Sequence, residues 1–315
     1  MNFDNIIVTK HLGKDNLCLD YLQQYASYPE EGVKLYQLNK VNKITIRHNE
    51  ILNTVKVNAN IPYCFLGHNF HSTIEDFTDG FQSISEDLNV NLFEAEVNSF
   101  EFGSFIEIPF PVKDLLNNHV KATNMKSRIF ERGKDFIPMK NQTHRIKLYD
   151  GGYRLKTELS KSQREMLTND FGYNTEANYL KLECNYLKPE TYFKQRNLKL
   201  SNLFTTTFAD DCKSDLLTNY QKIMKTGSIR IPDTKSKLTS SVIPLICLKE
   251  LGELYGFSPE EAIKKLLKSI PEEVLTKDDK KARHRQIRNN LKLIQPAGES
   301  RYDISDLLLA KTNNC

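Results

Sequence analysis

The stretch YLKLECNYL, residues 179–187, decides how the chain is built. Leu180, Leu182, Cys184 and Tyr186 take every second position, and Lys181, Glu183 and Asn185 fill the places between. A strand sends successive side chains to opposite faces, so this spacing predicts a strand with one apolar and one polar face. HRIKLYD at 144–150 reads the same way, with Ile146 and Leu148 set against Arg145, Lys147 and Tyr149. In SFEFGSFIEI at 99–108, Phe100, Phe102, Ile106 and Ile108 share one side, and Ser99, Glu101, Gly103 and Glu107 the other. As neighbours in one sheet, the three strands would lay a core floor on one face and gather carboxylates, lysines and an arginine on the other.

Outward from these strands the chain is mixed. KITIRHNEI alternates Ile44 and Ile46 with Lys43, Thr45 and Arg47, and DNIIVTK is a plausible first strand. STIEDFTDGFQSISEDL spaces Ile74, Phe77, Phe81 and Ile84 as a helix does, with Ser72 or Thr73 as its cap. A polar helix is expected over 160–170. Beyond about residue 205 the pattern turns helical: SSVIPLICLKELGELYG reads as a helix despite Pro244. SPEEAIKKLLKSI opens on Ser258 at the cap, Pro259 in the first turn and Glu261 three residues on. The expectation is an α+β fold, an antiparallel-rich central sheet with flanking helices over 1–205, followed by a helical, basic part over 206–315.

Composition bounds the partners. At 315 residues, with 39% hydrophobic and 27% charged residues, the chain is ordinary for a folded protein of about two units. A net charge of +4 permits nucleic-acid binding without demanding it. No apolar run approaches the roughly 18 residues of a membrane span, and MNFDNIIVTKHLGKD lacks a secretory pattern, so no membrane partner is expected. Cys18, Cys64, Cys184, Cys212, Cys247 and Cys315 include no CxxC pair, which reads as reduced thiols in a cytoplasm.

Carboxylates beside lysines on one sheet face suit a divalent cation and a phosphate diester: oxygens hold Mg²⁺ or Mn²⁺, and ammoniums offset phosphate charge. The same alternation also describes a sheet face that is merely solvated, or Glu–Lys pairs across strands. Tyr192 follows Glu183 by nine positions, after Pro189 ends the strand, in a segment 190–199 able to form a helix. A phenol there would need a metal and a nearby base or cation to attack phosphorus. Packing of Tyr192 and Phe193 under a helix is the alternative, and the 14 tyrosines make position alone a weak guide. His68 and His71, three apart, fall on opposite faces of a strand, which suits hydrogen-bonded loop residues better than a metal site.

The order of IPYCFLGHNF (61–70), SFEFGSFIEIPFPV (99–112), RIKLYDGGYRLKTE (145–158) and YLKLECNYLKPETYF (179–193) resembles the rolling-circle replication initiators of plasmids and filamentous phages. The likeness is to the Rep_trans type and the phage gene II type, and it spans roughly residues 40–205. It implies a metal-dependent tyrosine endonuclease and strand transferase that nicks and rejoins single-stranded or hairpin origin DNA through a phosphotyrosine intermediate. Carried over, Glu101 and Glu183 would hold Mg²⁺ or Mn²⁺, joined by Asp150 in the place of the family's Tyr-Asp or Tyr-Asn pair. Tyr192 would attack, and Lys147 or Lys181 would steady the phosphate. Ser99–Phe100–Glu101 stands where the plasmid proteins carry Arg-Leu-Asp. Gly151–Gly152 stands where they carry lysines, with Arg154 and Lys156 as substitutes. A host helicase and a second copy of the chain would be further partners.

The basic segment KDDKKARHRQIRNNLKL, 277–293, places Lys281, Arg285 and Arg288 in one helical stripe, suited to phosphates. Ile287, Leu291 and Ile294 would pack it on the preceding helices, and a solvated helix face is the alternative. Rival readings of the whole chain are a non-catalytic sequence-specific DNA-binding protein and a virion or partner-binding protein.

Overall fold

The computed structural model describes residues 2–20, 22–38, 44–122, 124–127, 136–225, 242–255, 258–293 and 302–313. Lys43, Ile294 and Cys315, named above, lie outside them. The strands are β1 (Asn2–His11), β2 (Leu22–Tyr28), β3 (Val33–Leu38), β4 (Ile44–Asn49), β5 (Thr54–Asn60), β6 (Glu96–Ile108), β7 (His119–Ala122), β8 (Lys126–Ser127), β9 (Phe136–Lys140), β10 (His144–Asp150), β11 (Asn178–Tyr186) and β12 (Ile223–Lys225). The helices are α1 (Ile74–Leu88), α2 (Val112–Asn118), α3 (Gly151–Thr157), α4 (Lys161–Phe171), α5 (Pro189–Phe193), α6 (Leu200–Leu203), α7 (Thr206–Gln221), α8 (Val242–Tyr255), α9 (Pro259–Ser269), α10 (Lys277–Leu293) and α11 (Ser305–Asn313). The fold is α+β, as the alternation predicts.

One ten-stranded sheet organises the chain, in the order β2-β3-β4-β5-β1-β6-β11-β10-β9-β8, and its neighbours pair antiparallel. The three alternating strands lie side by side: β6 pairs with β11, and β11 with β10. On their apolar face, Phe100, Phe102, Ile146, Leu148, Leu182, Cys184 and Tyr186 are all buried. Two long helices cover that face. Helix α1 brings Phe77 to within 5.7 Å of Phe3, and α7 brings Phe208 to within 5.8 Å of Phe100, ring centre to ring centre. Each fully buried ring contributes roughly 1.5–3 kcal/mol, so this face carries much of the stability. The cap of α1 is Thr73, locked reciprocally with Asp76.

The other face is not left to water. The segment 62–72 and helices α3 and α4 fold over it, and Phe70, Phe105, Leu155, Leu159, Leu167 and Tyr179 form a second apolar cluster there. Phe70 stacks on Phe105 at 4.2 Å. Phe105 thus shares a face with Lys181, its partner in the β6–β11 register.

The chain divides into two compact units at other places than its composition suggests. Residues 1–116, 122–222 and 304–315 make the first, and 117–121 with 223–303 make the second. The expected boundary at 205/206 is corrected because α7 belongs to the sheet's core: Cys212, Leu216 and Tyr220 are fully buried. The chain returns to this unit at its end, where the Tyr220 hydroxyl accepts a hydrogen bond from the Ile304 amide at 3.0 Å. In the second unit, Leu245 of α8 packs with Ile263 and Leu267 of α9 and with Ile287 and Leu291 of α10. Ser258 caps α9 by accepting from the Glu261 amide, as its sequence predicts. Among the described residues no helix is long and apolar enough to cross a membrane.

Candidate acidic site on the central sheet

Three strands deliver three carboxylates to the covered polar face. In the β11–β6 register, Asn185 lies opposite Glu101 and Glu183 opposite Gly103. Across β10, Lys147 lies opposite Glu183 and Tyr149 opposite Lys181. The third carboxylate, Asp4, comes from β1, whose pairing with β6 shifts register between Phe3 and Ile6. That bulge keeps Phe3 and Ile6 buried in the core while Asp4 turns to the polar side. Gly103 makes room for the cluster: a Cβ there would stand 2.6 Å from the Leu182 carbonyl oxygen and 3.1 Å from the Glu183 Cα.

One oxygen each of Asp4, Glu101 and Glu183 lies within 4.8 Å of the other two. The Lys147 ammonium stands between two of them, 2.7 Å from Glu101 Oε1 and 2.5 Å from Glu183 Oε1. Tyr149 donates to Glu183 Oε2 at 3.0 Å, and Asn185 donates to Glu101 Oε1 at 2.6 Å. Asn60 and Asn69 donate to the two oxygens of Asp4 at 2.8 and 2.7 Å. Lys181 approaches Asp4 at 3.6 Å, with its ammonium 4.2 Å from the centre of the Phe105 ring. Asp4, Lys181 and Glu183 are 4%, 1% and 2% exposed, so this is an interior charge cluster and not a solvated face.

Its two glutamates titrate in opposite directions. Burial, and then the charge of Glu183, push Glu101 up to about 7, against the pull of Lys147. For Glu183 burial also opposes ionisation, but Lys147, Lys181 and the Tyr149 hydroxyl outweigh it and hold its carboxyl below the usual range. Lys147 is likewise desolvated, and the two glutamates overcome that, keeping it charged above the ordinary lysine range. Burial drives the Tyr149 phenol far up, so it serves as a donor and not as a nucleophile.

The donor set fits a hard divalent cation: three carboxylates, with two amide oxygens beside them. Asn69 Oδ1 and Asn185 Oδ1 are buried without a hydrogen-bond partner, although the amide nitrogens of both donate to carboxylates of the cluster. Arg154, on α3 at the rim, donates to the Tyr63 hydroxyl at 3.2 Å and lies over the Tyr149 ring at 5.5 Å.

Of the residues expected in the site, Glu101, Glu183, Lys147 and Lys181 come together, and Arg154 stands beside them. Asp150 does not join them: it caps α3, accepting from the Tyr153 amide at 3.0 Å. Lys156 is exposed, and its carbonyl accepts from Arg164. Tyr192 is corrected as well. Its helix α5 ends after one turn, at Lys194 with φ +54°, so 190–199 is not a helix. Its hydroxyl donates to Asp215 at 2.8 Å and accepts from Asn219 at 3.0 Å, both on α7. Tyr186, on the apolar face of β11, donates to the same Asp215 at 2.6 Å. Tyr192 therefore sits on the opposite side of the sheet from Glu101 and Glu183. Burial pushes its phenol up, the reverse of an activated nucleophile.

His68 is buried and His71 stacks on Phe171 at 4.0 Å; neither belongs to the carboxylate cluster. In the second unit, Lys281, Arg285 and Arg288 are exposed on α10 as expected, with Lys281 3.5 Å from Asp278 and Arg288 3.3 Å from Glu260. Asp4 is the site residue that periodicity missed. Its one signal is a carboxylate between Phe3 and Ile6 in an otherwise strand-like run. The chain matches no protein-family model and no curated protein.

Proposed function

We propose that the chain is a metal-dependent enzyme that cleaves and rejoins single-stranded DNA, acting at a replication origin. The observation that carries the chemistry is the meeting of Asp4, Glu101 and Glu183 within 4.8 Å, with Lys147 among them and Arg154 at the rim. The origin setting is supported by the order of motifs that resembles rolling-circle initiators. Asp4, Glu101 and Glu183 would hold Mg²⁺ or Mn²⁺, which supplies Lewis-acid polarisation of the phosphate and offsets charge at the leaving oxygen.

The chain's own groups do the rest. Arg154 presents a planar fork to phosphate oxygens, and Lys147 adds a compact charge between the glutamates. Tyr149 holds Glu183 in place from the neighbouring strand. For a cut that is later rejoined the attacking oxygen is that of Tyr63, where burial pushes the phenol up and the Arg154 that donates to its hydroxyl pulls it back down; attack by water would give cutting alone. The attacking oxygen bonds to phosphorus as the P–O3′ bond breaks, and its proton passes to the departing O3′, leaving a 3′ hydroxyl. The exposed stripe on α10 contributes salt-sensitive affinity for the backbone.

A second reading is favoured by one observation: Lys147 already bridges two of the carboxylates, as the fixed counter-ion of a purely structural network would. The protein would then bind DNA without cutting it. Incubation with supercoiled and single-stranded DNA, with Mn²⁺ or with a chelator, followed by denaturing electrophoresis, separates the two. The nuclease reading expects metal-dependent nicks, reduced roughly 100-fold or more in Glu183→Gln. Absence of cleavage in the wild-type protein, or nicking undiminished by that substitution, would falsify it. An adduct lost in Tyr63→Phe assigns the attack to Tyr63, and free 5′ phosphate assigns it to water.

A further inference from the structure

We infer that a cavity next to the acidic site is a subsite for one nucleotide of a single-stranded DNA substrate, with its base against aromatic rings and its phosphate held by lysines. The inference rests on the nuclease reading for its substrate class. The cavity, of about 570 Å³, follows from the strand register. Strand β1 reaches Asn2 opposite Gly103, while β6 runs on to Ile108. Among the described residues no strand pairs with β6 beyond Gly103 on that side, and the cavity lies along this edge, lined by Gly103, Ser104 and Phe105.

Its size is that of a small-molecule pocket, and its walls are the usual mixture of apolar surface and a few placed charges. The flat walls are aromatic: Phe105, backed by Phe70, and Phe171, stacked on His71 with 22° between the planes. Planar surfaces of this kind accept bases of any sequence, at roughly 1–3 kcal/mol per stacked base. The charge is cationic. Lys181, Lys213 and Lys311 line the cavity against one carboxylate, Glu107, which accepts from the Tyr179 hydroxyl at 3.1 Å. The Lys213 partner, Asp210, is not part of the lining; it is 3.0 Å away and largely exposed. The Lys311 ammonium donates to the Phe105 carbonyl.

Lys181 joins the cavity to the acidic site. It lines the one and reaches Asp4 of the other at 3.6 Å, longer than a made hydrogen bond. Its ammonium, almost wholly enclosed, thus has donors to offer a phosphate lying between base pocket and carboxylates. The amino end of the 15-residue helix α1, with Thr73 and Ile74 in the lining, adds favourable polarity for an anion.

The test is titration of the full chain with deoxynucleoside 5′-monophosphates, followed by calorimetry or NMR, with deoxynucleosides, inorganic phosphate and decanoate as comparison probes. Saturable binding of the monophosphates is expected, at least tenfold tighter than of either the nucleosides or inorganic phosphate. Lys213→Met should weaken it about tenfold, as loss of one charge-assisted hydrogen bond does. Phe171→Ala, at a partly exposed position, is the second variant, and thermal melting confirms that each remains folded. Phosphate bound as tightly as nucleotide, or decanoate bound in preference, overturns the proposal. Nucleotide binding without DNA cleavage leaves a nucleotide pocket standing and sinks the nuclease reading, and with it single-stranded DNA as the substrate. Cleavage with KM for a short oligonucleotide unchanged in Lys213→Met and Phe171→Ala sinks the subsite and leaves the nuclease reading intact.

Discussion

Glu101 and Glu183 share Lys147 and yet lie on opposite sides of the ordinary carboxylate range, because Glu183 also faces Lys181 and Tyr149. The consequence for stability has a definite sign. An acid whose folded pKa is raised to about 7 is protonated in the native state where the unfolded chain is ionised, so its penalty appears as pH rises through the interval from the ordinary value to 7. Without added metal, Glu101→Gln should gain stability over the wild type between about pH 4.5 and 7, by up to roughly 3 kcal/mol, then level off. Denaturant melts of both proteins across that range check it. A difference that does not change with pH would show that Glu101 ionises normally. Glu183 acts in another window: its stabilisation is present near neutrality and is lost as pH falls through its depressed pKa. Tyr192 gives a second residue-scale prediction. Since Asp215 and Asn219 hold its hydroxyl away from the carboxylates, Tyr192→Phe should cost about 1 kcal/mol of stability and leave DNA cleavage within about twofold. Loss of the cleavage product in that variant would return Tyr192 to the chemistry.

At the level of the element, the site depends on how closely β6 and β11 approach. Gly103 is required by the close passage of the Leu182 carbonyl and not by any unusual turn. Gly103→Ala should destabilise the protein by roughly 1–3 kcal/mol, the cost of overpacking a well-filled interior. It should also weaken Mn²⁺ binding, because strands forced apart carry Glu101 away from Glu183. A variant as stable as the wild type, binding Mn²⁺ equally well, would contradict that account. The bulge in β1 is the companion device: without it, strict alternation could not place Phe3 and Ile6 both on the core side with Asp4 on the other. Helix α5 shows the limit set by a short element. One turn after Pro189, Lys194 takes a left-handed conformation and ends the helix, and Tyr192 is left packing on Tyr186 and Phe193.

Across the whole molecule, chemistry and DNA affinity are expected from different units. The carboxylates belong to the first unit and the basic stripe to the second. Two of the three stripe residues already have carboxylate neighbours, so their release of counter-ions on DNA would be incomplete. Replacing Lys281, Arg285 and Arg288 together with alanine should lower the slope of log affinity against log salt by about 2, and not by the full amount for three free cations. Filter binding or anisotropy at several salt concentrations measures this. A slope unchanged by the triple substitution would remove α10 from the DNA interface.

The two-residue alternation in 99–108, 144–150 and 179–187 by itself determined the strands and which side chains share a face, because that period is built into extended backbone. Likewise Thr73 and Ser258 announced their helices, since a cap is a contact within four residues. Strand order, the bulge that leaves Asp4 on the polar face and the covering of that face by 62–72 and α3 are contacts between residues far apart in the chain. Only the tertiary structure decided those. Tyr192 is the clearest case: nine residues past Glu183 is well within reach of it. Asp215 and Asn219, more than twenty positions further on, set the face to which its hydroxyl turns.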